Sequence, residues 1–221
     1  MLAKTLLLLA LGSPVLAAED ALPPVGAAPC IACRAPGVDP AALYSPEEWG
    51  ALRDGEVLHE DGARESAPDD LEGATRAATL IRRPPAQVWV VLTDFERWPE
   101  FMPLIDETRV ARRDGPRLRV EQRYTILFVA LAHTTIYDLA PGEGRLSWRL
   151  DEEEPHDIEA SRGEWDLVPI ASGRETLVRY DAKMSAGRAV PEFVERMLRG
   201  RSLEQLLAGL RAEVARRHPE D

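Results

Sequence analysis

Between Leu118 and Met184 the chain repeats one pattern, in which apolar residues alternate with charged or polar residues at every second position. A period of two places alternate side chains on opposite faces of a strand, so each such segment predicts a strand with one buried face. Short turns, including residues 141–144 and 172–173, join the segments, and short turns join antiparallel neighbours. The pattern predicts an antiparallel sheet. Its alternating segments are residues 118–128, 131–139, 146–150, the stretch around Trp165 and Leu167, and residues 178–184.

Helical signals lie on both sides of this run of strands. Residues 74–82 predict a strand, and Pro84-Pro85 then opens a helix with apolar residues at helical spacing. Residues 94–101 predict a second short helix, which Pro103 ends. Residues 191–217 predict one long amphipathic helix. The order predicts an α+β fold in which a curved antiparallel sheet wraps around a long C-terminal helix, with two short helices after the first strand.

Two stretches carry a resemblance to a known superfamily. Residues 81–89 (IRRPPAQVW) resemble its opening, where a strand leads into a helix, and residues 92–103 (LTDFERWPEFMP) resemble its coenzyme Q-binding and cyclase/dehydrase branch. With the order of elements, they make residues 73–217 similar to the START/SRPBCC helix-grip superfamily, which includes polyketide cyclases/dehydrases and birch-pollen allergens. The resemblance implies a cavity between sheet and long helix that holds a lipid, quinone, sterol or polyketide-like molecule.

Aromatic residues and methionines on the strands and the long helix are the candidate walls of that cavity, with two residues near the end of the short helices at its entrance. Pockets of this kind are lined by apolar and aromatic groups with few polar ones. The alternative for each is that it fills a core, since aromatic residues dominate cores as well. The candidate ligand-binding residues are Phe101, Met102, Tyr124, Phe128, His133, Tyr137, Trp148, Trp165, Tyr180, Met184, Phe193 and Met197.

His133, Thr135 and Tyr137 share one face of a predicted strand. If that face points inward, these three residues are the polar groups of the pocket, and a cyclase would use them to polarise carbonyl groups or move protons. If it points outward, they belong to an ordinary surface strand. The sequence leaves both alternatives open.

Other catalytic and metal signatures are absent from the sequence. We find no Ser/His/Asp nucleophile arrangement, no phosphate-binding glycine loop and no HExxH motif, and the four histidines have no metal-ligand spacing. The acidic run 151–154 is interpreted as an exposed hairpin tip rather than a cation site. We therefore assign no catalytic residue, and expect no metal and no cofactor. The sequence favours a non-enzymatic carrier of a hydrophobic molecule, with a polyketide cyclase or aromatase as the alternative.

The first residues resemble an export signal. Residues 1–17 combine Lys4, a short apolar run and small residues before a cleavage site, which is typical of a secretory signal peptide; an uncleaved anchor is the alternative. A periplasmic or secreted location is expected. In that setting Cys30 and Cys33 predict a local disulfide, with a redox or half-metal site as the alternatives.

Residues 18–72 form an acidic arm rich in proline and alanine, with thirteen acidic against three basic residues. Ser45, Pro46 and Glu48 predict a short helix over residues 46–53 through an N-cap and capping box, and residues 56–59 predict a small strand. The rest of the chain is nearly neutral and has no basic stripe, so nucleic-acid binding is not expected. We expect a monomer whose partner is a hydrophobic small molecule, with membrane contact at most transient.

Overall fold

The computed structural model describes residues 43–60, 75–126, 129–185 and 192–219. Within these ranges the strands form one eight-stranded antiparallel sheet in the order β1-β2-β8-β7-β6-β5-β4-β3. This is the α+β helix-grip arrangement that the sequence predicts. The helices are α1 (Pro46–Arg53), α2 (Pro85–Leu92), a 3-10 helix (Phe95–Glu100) and α3 (Glu192–Arg217); the strands are β1 (Val57–His59), β2 (Thr75–Ile81), β3 (Ile105–Asp114), β4 (Arg117–Ile126), β5 (Val129–Ala140), β6 (Arg145–Leu150), β7 (Ala160–Ile170) and β8 (Glu175–Ser185).

The register of the sheet separates charged from uncharged residues. Val120 lies opposite Thr135, Tyr137 opposite Trp148, and Trp165 opposite Tyr180, and residues directly opposite in an antiparallel pair project from the same face. On the inner face of the described parts of β4 to β8, this register places no Asp, Glu, Lys or Arg. The charged residues of these strands all occupy outer positions. The alternation in the sequence therefore decides which face turns towards the helices.

Helices α2 and α3 and the 3-10 helix cover part of this inner face. Val88 of α2 and Leu207 and Leu210 of α3 are fully buried in the same cluster as Tyr137 and Trp165. Burial of this apolar surface is the main source of stability, at roughly 25 cal/mol per Å². The helices thus hold one part of the inner face in a packed core.

The last turns of α3 are fixed by ion pairs. Asp94 is the residue that precedes the 3-10 helix, and its Oδ2 lies 2.6 Å from Arg217 Nη1. Glu213 is 6% exposed and accepts hydrogen bonds from Arg216 and Arg217. The bond from Arg216 is the main reason that the pKa of Glu213 falls to about 2, so the carboxylate is charged at neutral pH. These contacts anchor α3 over the core.

The predicted short helix and small strand of the N-terminal arm are confirmed as α1 and β1. The Ser45 hydroxyl accepts from the Glu48 amide and the Glu48 carboxylate accepts from the Ser45 amide, which is the expected capping box. Strand β1 pairs with β2 at the edge of the sheet, and Leu52 of α1 packs on the outer face against Leu177. Arg211 of α3 donates to the carbonyl of Gly55 between α1 and β1.

Two features differ from the sequence interpretation. Strand β3 was not predicted, because its residues are largely exposed at the sheet edge, and two register shifts break the period of two. The interpretation of residues 151–154 as an exposed tip is wrong for Asp151. That residue is 2% exposed, and its carboxylate lies 3.2 Å from Arg119 Nη1. The three glutamates that follow are exposed as expected.

Gly163 on β7 makes a close contact that offers a test of this packing. A Cβ atom at this position would lie 2.6 Å from the indole of Trp148 and would collide with the Asp181 carbonyl. We expect Gly163→Ala to lower the free energy of unfolding by about 1–3 kcal/mol, as overpacking does in well-packed sites. Urea denaturation followed by circular dichroism measures the change.

Gly142 provides the matched control, because a Cβ atom there has no neighbour within 4 Å. Gly142→Ala is expected to change the free energy of unfolding by less than about 0.5 kcal/mol. Equal effects of the two substitutions would contradict the close approach of Trp148 to β7.

Candidate functional site

Four polar side chains lie together on the buried inner face of β4 and β5. We call this group the polar patch. It consists of Gln122 (3% exposed), His133 (4%), Thr135 (0%) and Tyr137 (3%). The alternative that His133, Thr135 and Tyr137 lie on a surface strand is therefore wrong. The register explains the grouping, because Gln122 lies directly opposite His133, and the two following inward positions of β5 are Thr135 and Tyr137.

The polar patch has unused hydrogen-bonding capacity. The Tyr137 hydroxyl donates to Gln122 Oε1 at 3.3 Å. By contrast, Gln122 Nε2, His133 Nδ1 and Thr135 Oγ1 are buried with no hydrogen-bond partner among the described residues. Buried polar atoms in proteins nearly always have a partner, and leaving one without a partner costs about 1–3 kcal/mol. Three of the buried atoms without such a partner lie together in the polar patch.

Aromatic rings surround the polar patch. The Tyr124 and His133 rings are stacked, with centroids 5.2 Å apart and planes inclined by 7°. Trp148 stacks on Tyr180 at 5.6 Å, and its indole Nε1 donates to Ser161 Oγ at 3.2 Å. Such rings offer a large apolar surface and leave few polar atoms exposed to a ligand. The inner face here is suited to an apolar molecule with one polar end.

His133 and the three tyrosines on the inner face of this region are uncharged at neutral pH. Burial lowers the pKa of His133 to about 4, with a smaller contribution in the same direction from His156 and an opposing one from Asp157. Burial likewise raises the pKa values of Tyr124, Tyr137 and Tyr180 above the ordinary range of tyrosine. The inner face of the described strands therefore offers neutral donors and acceptors here and carries no charged side chain.

A cleft of about 590 Å³ lies where β6 and β7 separate at one end of the sheet. The pairing of these strands stops at Arg149 and Arg162, while β7 continues beside β8 to Ala160. The lining includes Trp148 and Ser161 of the inner face as well as charged residues of the outer face. Residues of both faces of the sheet therefore border one cleft at this end.

The other predicted site residues are placed differently. Met102 and Trp165 are each 3% exposed and belong to the packed core. Phe101 is half-buried against that core, with the guanidinium carbon of Arg217 5.9 Å from its ring centroid. Met184 is 48% exposed near the end of β8. The remaining predictions fall on residues outside the described part of the structure. These are Phe128, the side chains of Phe193 and Met197, the cysteines Cys30 and Cys33, and residues 1–17.

Sequence reasoning missed Gln122 and Ser161 as site residues. Gln122 could have been identified from the sequence, because it is a polar residue at a position where the strand from Leu118 to Tyr124 otherwise carries apolar residues. Ser161 has the same phase as Trp165 and lies two inward positions before it in β7. A polar residue at a position that the period assigns to the core is the signal that would have identified both.

A family model described as polyketide cyclase / dehydrase and lipid transport matches residues 74–215, well over half of the chain. The chain belongs to this polyketide cyclase / dehydrase and lipid transport family. A comparison with curated proteins finds no match. The family description covers both enzymes and transport proteins, so membership leaves the choice between them to the site itself.

Solved structures support the family's fold in this chain. The protein TTHA0849 from Thermus thermophilus is 20% identical, with a TM-score of 0.58 over 66% of this chain and 99% of that one. The Zhui aromatase/cyclase from Streptomyces sp. R1128 is 18% identical, with a TM-score of 0.56 over 65% and 94%. A STAR-related lipid transfer protein from Xanthomonas axonopodis is 18% identical, with a TM-score of 0.55 over 64% and 85%. At these identities the likeness shows the fold alone.

In the described part of the chain, no group of three or more His, Cys, Asp or Glu side chains is arranged to hold a metal ion. Among the described helices, none combines the length and the apolar character needed to cross a bilayer.

The buried, neutral His133 predicts a specific pH dependence of stability. In the folded protein His133 takes up a proton only near pH 4, whereas in the unfolded chain it does so near its ordinary value of about 6.5. Its contribution to stability is complete above about pH 6.5 and is lost as the pH falls towards 4. At roughly pH 5 we expect a loss of about 2 kcal/mol relative to neutral pH, measured by urea denaturation, that His133→Phe does not show.

His156→Phe is the matched control, because His156 is exposed between β6 and β7. This variant should retain most of the acid sensitivity of the unmodified protein, because burial lowers the pKa of His133 more than His156 does. An identical pH dependence for His133→Phe and the unmodified protein would show that His133 is not held neutral.

Proposed function

We propose that this protein binds a hydrophobic small molecule, such as a lipid, quinone, sterol or polyketide-like compound, between the sheet and α3, and carries it without transforming it. The supporting observation is that buried atoms of Gln122, His133 and Thr135 have no hydrogen-bond partner among the described residues, within an otherwise apolar and aromatic face. A core built only for stability would place apolar side chains at these positions, since each orphaned atom costs free energy.

We further propose that the protein acts outside the cytoplasm, in the periplasm or after secretion. This rests on residues 1–17, which have the composition of a secretory signal peptide. An apolar compound has low solubility in an aqueous compartment, so a carrier with an internal site gives it a route through water. The lipid-transport part of the family description and the similar Xanthomonas lipid transfer protein agree with this role.

Catalysis as a cyclase or aromatase is the second candidate. The inward position of His133, Thr135 and Tyr137 favours it, because a cyclase needs polar groups that reach the substrate. The similarity to the Zhui aromatase/cyclase is compatible with it. The low pKa of His133 counts against it, since a general base works best when its pKa is near the operating pH.

Carriage predicts that the protein purified from its native source retains a ligand. Native mass spectrometry should show a bound species that organic extraction removes. Ser161→Leu is expected to reduce the retained amount by at least about half, because leucine would project beside the Trp148 indole on the inner face.

Ser147→Leu is the matched control, since Ser147 lies on the outer face of neighbouring β6, opposite Glu164. This variant should retain the ligand like the unmodified protein. Absence of any extractable ligand from the unmodified protein would refute carriage.

The two candidate functions differ in what happens to the ligand. A carrier returns it unchanged, so the extracted compound, incubated again with the protein, should keep its mass and its chromatographic retention. A cyclase would convert an added linear poly-ketone into a cyclic product that has lost water. Such a product, formed by the unmodified protein and lost in His133→Phe, would favour the enzyme.

A further inference from the structure

We infer that the proposed binding site between the sheet and α3 selects an uncharged ligand whose polar end is a carbonyl or hydroxyl oxygen, seated on the polar patch, and that it rejects carboxylates and phosphates of similar size. The inference rests on the proposed function, because it specifies the ligand class of the same site. It is carried by two independent observations, namely the orphaned polar atoms and the absence of charge on the inner face of the described parts of β4 to β8.

The three orphaned groups are close enough to serve one polar end. Gln122 and His133 face each other across β4 and β5, and side chains at such positions start about 5 Å apart. Thr135 follows His133 by two residues on the same face, which adds roughly 7 Å along the strand. A carbonyl or hydroxyl oxygen between them can contact two of the three groups at once.

The chemistry of the groups favours an oxygen that accepts hydrogen bonds. Because the Tyr137 hydroxyl donates to Gln122 Oε1, the amide is oriented, and its Nε2 donor remains for a ligand. The Thr135 hydroxyl can donate or accept, and a neutral imidazole offers one of each. The patch therefore holds at least one committed donor and two adaptable groups.

The electrostatics disfavour an anion at this position. Along the inner face of the described parts of β4 to β8 there is no Lys or Arg to pair with it. The nearby Arg119 points to the outer side, where it pairs with Asp151. A carboxylate on the patch would lose its hydration without a compensating cation, and charges are costly to bury in that way.

Three ten-carbon compounds of similar size separate the effect of hydrogen bonding from the effect of ligand charge: methyl octyl ketone, decanoate and decane. Each competes with the neutral fluorophore Nile red for the purified protein at neutral pH. We expect the ketone to displace Nile red at a concentration at least about tenfold lower than decanoate requires. Against decane, we expect an advantage of roughly threefold to tenfold from the hydrogen bonds.

Thr135→Val and Thr134→Val form a matched pair on adjacent positions of β5 that face opposite sides of the sheet. Thr135→Val removes an orphaned hydroxyl, so it should reduce the preference for the ketone over decane and raise the melting temperature of the ligand-free protein. Thr134→Val should keep the preference. His133→Phe, which preserves the ring beside Tyr124, provides a second variant that should also weaken the preference.

The possible results distinguish a failure of the inferred selectivity from a failure of the proposed function. If decanoate competes as well as the ketone, or the ketone no better than decane, the inferred selectivity is wrong while the proposed carriage of a hydrophobic molecule stands. If Nile red does not bind, none of the compounds protects the protein against thermal unfolding and native mass spectrometry finds no ligand, the proposed function itself fails. An unchanged ketone preference in Thr135→Val and His133→Phe would also overturn the role of the polar patch.

Discussion

The separation of charge between the two faces of the sheet is the constraint on which the rest of the structure depends. From β4 to β8, every charged side chain of the described residues occupies an outward position, and the inward positions carry none. A slip of one residue in any pairing would exchange the two faces, so the register is strongly specified. The same separation turns the apolar face towards α2 and α3 and leaves the rest of that face uncharged for the candidate site.

Within that apolar face, the polar patch is the exception that requires a reason. Gln122, His133 and Thr135 are almost completely buried, yet each keeps one polar atom without a partner among the described residues. A stable fold tolerates a few such atoms, and proteins tend to break local rules of stability at functional sites. Stacking of Tyr124 on His133 and the hydrogen bond from Tyr137 to Gln122 hold two of these side chains in place. The patch is thus ordered without a ligand, and such order would reduce the entropy cost of the binding that we propose.

The architecture could be predicted from the sequence because it rests on local patterns. The period of two in residues 118–184, the Pro84-Pro85 helix start and the Ser45 capping box each specify an element without tertiary information. Strand β3 escaped prediction because bulges and edge exposure erase its period. The opposition of Gln122 and His133 depends on the register between two strands, and the burial of Asp151 depends on its pairing with Arg119. Contacts between elements of this kind leave no mark in the local pattern.

The two edges of the sheet have a consequence for how copies of this protein behave at high concentration. A long, flat, apolar edge strand is a template for pairing with another chain, and sheet proteins avoid aggregation by shortening or charging their edges. Here β1 spans only three residues and covers the edge of β2, while β3 at the other edge is bulged and carries Arg109, Arg112 and Arg113. The acidic arm thus contributes a short strand that shields the sheet from open-ended pairing. At high concentration, the two edges therefore give a second copy of this sheet little apolar backbone to pair with.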